Sequence, residues 1–141
     1  MPNSQRFPYT ALRNALGEVI PRPMLTAQLI NREQSISVSG LVDSGADVNV
    51  LPYRLGVALG LIWDDQRYTI YLTGNLANFE ARAIILSVQI GDLPPIDLAF
   101  AWVSAEQVPL IFGQTNFFET FDVCFYRTEE YFIITPKNFT S

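Results

Sequence analysis

One acid in this chain stands in a setting where carboxylate chemistry is feasible: Asp43, within Leu41-Val42-Asp43-Ser44-Gly45-Ala46-Asp47. The turn closes an apolar run and occurs once. Asp, Ser and Gly are ordinary turn residues, so the bare tripeptide more often marks a surface turn. Water is activated by carboxylates when one accepts a proton while a second, protonated one polarises a carbonyl. Two carboxyls about 3 Å apart cannot both ionise and therefore share a proton. A lone turn of this type supplies half of such a pair. Chemistry of this kind would require a second copy of the chain, placed about a twofold axis.

Composition narrows the alternatives. Histidine is absent, which removes Ser-His and Cys-His nucleophiles and every His-based metal site. The single Cys124 cannot form an intrachain disulfide, has no neighbours at metal-ligand spacing, and is expected as a buried strand residue. No metal and no cofactor is expected. Asp64-Asp65, Asp92, Asp97 and Glu129-Glu130 read as solvated charge in turns and strand edges. The formal charge of −5 and the lack of Lys/Arg clusters argue against nucleic acid as a partner. No run approaches membrane-spanning length and the first residues lack a secretory pattern, so no membrane association and a cytoplasmic location are expected.

With 141 residues, 49% of them hydrophobic and 16% charged, the chain suits one folded domain. Residues 1–23 read as an arm: a short helix over Tyr9 to Val19, then Pro21-Arg22-Pro23 breaking regular structure. Such an arm would contact a partner chain, serve as a removable leader, or remain a partly ordered terminus. A domain over residues 24–141 follows. Met24 to Ile30 and Ser35 to Val42 alternate apolar and polar residues, reading as a hairpin that delivers Asp43 at a strand end. Pro52 and Gly60 bracket a short helix near Tyr53 to Leu61. Strands are expected at Tyr68 to Leu72, Phe79 to Ile90, Ile96 to Val103, Thr120 to Tyr126 and Tyr131 to Thr135, with Thr73 to Asn78 forming a hairpin tip. The whole implies an all-β barrel or sandwich with one or two short helices.

The segment around Asp43 closely resembles the active-site loop of retropepsins, the retroviral-type aspartic proteases, including their single-domain bacterial relatives. A second element strengthens the resemblance: Leu110-Ile111-Phe112-Gly113, an apolar-apolar-Gly step before a helical turn over Gln114 to Phe118. The likeness spans about Met24 to Pro136. It implies one lobe per chain and a homodimer that cleaves peptides or proteins with Asp43 as the catalytic residue from each chain, most actively on the acid side. Ser44 and Gly45 would support the loop, with the Ser44 hydroxyls linking the two loops across the axis. Gly45, Ala46, Asp47 and Ile111 would bind substrate, Asp47 at its main chain. Thr73, Gly74, Asn75 and Leu76 would form the flap, and Gly113 and Gln114 would be structural.

Departures from the family pattern stand out at Gln114, at Thr115-Asn116, which appear where Asp or Asn usually follows directly, and in the flap. Gln114 occupies a position where many members carry an Arg that pairs with the acid equivalent to Asp47. A neutral Gln could hydrogen-bond Asp47 without neutralising it. The flap holds only one glycine, fewer than retroviral flaps. These departures motivate the competing expectation of a weakly active or inactive peptide-binding or dimerisation module, or a latent protease that pairs only on a trigger. Trp63 and Trp102 could line a pocket, but core or interface packing is the simpler expectation.

Overall fold

The computed structural model describes residues 4–137. Its N-terminal strands are β1 (Gln5–Pro8), β2 (Thr10–Arg13) and β3 (Val19–Arg22). Then come β4 (Met24–Asn31), β5 (Gln34–Val42) and β6 (Asn49–Leu51), followed by the helix α1 (Tyr53–Ala58). The rest comprises β7 (Thr69–Ile70), β8 (Ala81–Gln89), β9 (Ile96–Val103), β10 (Ile111–Phe112), β11 (Phe121–Tyr126) and β12 (Tyr131–Pro136).

Six strands in the order β4, β5, β10, β6, β9, β8 close into a barrel because β4 also pairs with β8. The all-β expectation therefore holds. Alternation drives the closure: Leu25, Ala27 and Leu29 of β4 and Ile84, Leu86 and Val88 of β8 are buried, and their intervening neighbours are more exposed. The short β10 is the unusual member. It runs parallel to β5 and antiparallel to β6, threading between the strand that precedes Asp43 and the strand that follows its loop.

Trp102 is fully buried and stacks on Tyr53 with ring centroids 5.6 Å apart, while Trp63 meets Trp102 edge-on at 5.0 Å. Trp102 thus serves packing beneath α1, while Trp63, partly buried, packs on it and also lines a shallow cleft with Tyr53 and Ser104. A smaller apolar cluster, including Val50, Ala101 and Val103, lies beside Ile70, Leu72, Leu76 and Ile111. That cluster floors the region where loop 43–48 and the segment after β7 meet.

The N-terminal segment departs from expectation. Tyr9 to Val19 is not helical; β2 and β3 form a two-stranded hairpin. Asn14 explains it. Its side-chain oxygen accepts from the main-chain nitrogens of Leu16 (3.0 Å) and Glu18 (2.9 Å), offering the backbone a turn in place of helix. Pro21 sits inside β3, where a two-stranded ribbon leaves an outer edge free for a residue without an N–H. Meanwhile β1 pairs with β12, which pairs with β11, forming a separate three-stranded sheet. Buried Phe132 stacks on Phe7 at 5.5 Å and receives Tyr9 edge-on at 6.1 Å. Cys124 is exposed rather than buried, because it points outward from the edge strand β11.

Candidate active site

Asp43 follows the last residue of β5, and β10 determines its position. Ile111 registers with Leu41 and Phe112 with Val42, and the Asp43 nitrogen donates to the Phe112 oxygen at 3.0 Å. The next residues of both segments stay together. Gln114 N donates to Ala46 O at 2.8 Å and Thr115 N to Asp47 O at 2.9 Å. Loop 43–48 is therefore held by main-chain bonds to the run 112–115, independently of its own side chains. A Cβ at Gly113 would lie 2.5 Å from Val48 O and 2.8 Å from Ala46 O, so only glycine permits this approach.

The Asp43 side chain is half-buried, and its Oδ1 accepts from Gly45 N at 2.9 Å in an Asx turn. A Cβ at Gly45 would stand 3.2 Å from that oxygen, so glycine keeps the turn uncrowded. Asp43 and Ser44 line a cleft of about 300 Å³ together with Arg22, Pro23, Leu41, Val42 and Phe125. Val42 N donates to Pro23 O at 3.0 Å, which ties the start of the domain to the same cleft.

Most of the other expected site residues meet in a second cavity of about 290 Å³. Gly45, Ala46, Asp47 and Ile111 line it on the loop side, and Thr73, Gly74 and Leu76 line it from the segment between β7 and β8. That segment differs from a tight hairpin tip. The β7–β8 ladder ends at Ile70 opposite Ala81, and residues 74–76 form a single 3₁₀ turn in a broad connection. Asn75 lies within that turn.

Gln114 does not reach Asp47. Its side-chain nitrogen donates to the main-chain oxygen of Ser44 at 2.7 Å, because its own backbone is bonded at Ala46 and its side chain runs back along the loop. Among the described residues the Asp47 carboxylate accepts no hydrogen bond, and the one ion pair is Arg82–Glu80. Among them, too, no group of three or more His, Cys, Asp or Glu is placed to hold a metal ion. No helix among them is long and apolar enough to cross a membrane.

Two asparagines have structural roles that the sequence reading did not assign. Asn49 is fully buried; its Nδ2 donates to Ala99 O at 2.9 Å and its Oδ1 accepts from Gly113 N at 2.7 Å. Asn116, at φ +69°, accepts from Ala99 N at 2.9 Å through Oδ1 and kinks the turn Gln114–Phe118. A signal for Asn49 was available, since a lone amide within Val48-Asn49-Val50-Leu51 must find partners if that run is buried.

No family model matches the chain, and no curated protein does either. Among solved structures, the fold is similar to a retropepsin-like aspartic protease from Rickettsia conorii, with a TM-score of 0.63 and 19% sequence identity, covering 96% of this chain and 94% of that one. At that identity the likeness speaks for architecture. By its closed barrel, its threaded β10 and this likeness, the chain has the single-lobe fold of a retropepsin-like aspartic protease.

Proposed function

We propose that the chain is an aspartic endopeptidase working as a homodimer, with Asp43 from each copy holding the water that attacks a peptide carbonyl. The observation that carries this reading is the clamp of the Asp43 loop by β10 next to a cavity roofed by the β7–β8 connection. A carboxylate at a strand end, held by main-chain bonds rather than by flexible side chains, suits a task that needs fixed geometry. One such turn per chain leaves the second carboxyl to a partner.

In that dimer one Asp43 carboxylate takes a proton from water as the oxygen attacks, while the protonated partner donates to the carbonyl oxygen. The resulting diol collapses as the amine leaves with a proton. A dyad sharing one proton works best where one of its two carboxyls is protonated, which places activity toward the acid side. The β7–β8 connection would close over an extended peptide and exclude water, with Ala46 and Ile111 facing it. An exposed thiol at Cys124 suits a reducing compartment, in keeping with a cytoplasmic protein.

Peptide-library digestion tests the reading. The wild-type protein cleaves and Asp43→Asn does not, with an unchanged circular dichroism spectrum. Proteolysis undiminished in Asp43→Asn would overturn it. A second reading, a peptide-binding module with little turnover, draws on one observation: Asp47 has no cation beside it, and Gln114 is engaged at Ser44. Saturable peptide binding by a wild-type protein that never cleaves would favour the module.

A further inference from the structure

The cavity between loop and flap has a composition that selects a particular side chain. Its walls include Val50, Ile70, Leu72, Leu76 and Ile111, all apolar. Asp47 is its only acid, and no Lys, Arg or His lines it. The Asp47 carboxylate is exposed and carries neither an ion pair nor a hydrogen bond to another described residue. Its main-chain oxygen is the part tied down, by Thr115 N at 2.9 Å, which leaves the carboxylate free for a ligand. At about 290 Å³ the space falls at the small end of ligand sites, which span about 300 to 1,000 Å³, a size for one or two side chains of a longer chain.

We infer that Asp47 makes this cavity a subsite for a basic side chain, Lys or Arg, of an extended peptide. The inference rests on the reading of the cavity as a substrate site and adds the residue class it takes. A long basic side chain is apolar along its stem and charged at its tip, so it matches apolar walls with one exposed acid among them. An acidic side chain in the same place meets an unneutralised like charge and is rejected. The chain's formal charge of −5 steers basic peptides the same way. Gln114 contributes by leaving Asp47 alone: its amide is occupied by the Ser44 oxygen.

The test uses the full-length Asp43→Asn protein, so that binding is read without turnover. Labelled octapeptides of Ala, Leu and Ser carry one Lys, or the uncharged norleucine, walked through each position, and affinity is measured by fluorescence anisotropy at low and high salt. At one position Lys binds about 1.5- to fivefold more tightly than norleucine, the range for one exposed ion pair. The advantage shrinks in high salt, disappears in Asp43→Asn/Asp47→Asn and returns in Asp43→Asn/Asp47→Glu. Equal affinity for Lys and norleucine at every position overturns the inference, as does a Lys preference that survives Asp47→Asn. The Lys preference in a protein whose wild type never cleaves would remove the protease reading alone. Cleavage without the preference would remove this inference alone, and no binding of any peptide would remove both.

Discussion

The main-chain nitrogen of Gly113 donates to Asn49 Oδ1 at 2.7 Å in the interior, so one amide side chain joins the end of β10 to the start of β6. The same side chain donates to Ala99 O of β9. Three strands around the Asp43 loop thus share a single polar residue with no exposure to solvent.

Replacing Asn49 by Leu, close in size, leaves Gly113 N without a partner in the interior and the partly buried Ala99 O without its side-chain partner. The buried unpaired Gly113 N costs about 1 to 3 kcal/mol and the partly buried Ala99 O less, about 1 kcal/mol, so a loss of about 2 to 4 kcal/mol is expected. Thermal unfolding would show it as a fall of roughly 6 to 12 °C. A midpoint within a degree of wild type would show that the two groups find other partners.

Gly113→Ala acts on the loop more than on the core. The added Cβ falls 2.5 Å from Val48 O and 2.8 Å from Ala46 O, both main-chain atoms that cannot rotate aside. The loop must shift, breaking the Gln114 N to Ala46 O bond that aligns it. About 1 to 3 kcal/mol of stability is lost, and peptide cleavage falls at least tenfold because the carboxylate moves. Full cleavage by a Gly113→Ala protein would show the loop tolerates displacement.

Period-two alternation made β4 and β5 legible, because each has one face on the core, while Ile96–Val103 was legible as an apolar run whose second half is buried on both faces. The Asp43 turn was legible through its neighbours on both sides. Other features depended on partners distant in sequence. Cys124 lies outward because it falls on the solvent face of β11, opposite the face that carries Phe121 and Val123, a matter of sheet packing that its own apolar neighbours conceal. Gln114 turned to Ser44 because backbone bonds to Ala46 and Asp47 had already set its direction. The hairpin of β2 and β3 hinged on two hydrogen bonds accepted by Asn14, a local choice that prevailed over helix-like spacing.

Truncation to Thr10 tests whether the first strand is dispensable. Removing β1 strips one of the two main-chain partners of β12 and the Phe7 ring from buried Phe132. Losing that cover costs about 2 to 4 kcal/mol, and denaturant midpoints should fall accordingly. An unchanged midpoint, or a rise in activity, would instead mark these residues as a removable leader.

Mixing wild-type and Asp43→Asn chains decides whether two copies make one site. If each active centre draws one Asp43 from each chain, subunits that exchange freely in an equal mixture pair at random, and only dimers of two wild-type chains cleave. At fixed total protein the rate then falls to about one quarter of the pure wild-type value. Independent chains, each active alone, would give about one half. Dilution supplies a second reading on the same samples. Below the dissociation constant the concentration of dimer varies as the square of total chain, so specific activity drops with dilution in the dimer case and stays constant otherwise. A rate of one half together with constant specific activity would remove the shared dyad, and with it the account of why the Asp-Ser-Gly turn occurs once.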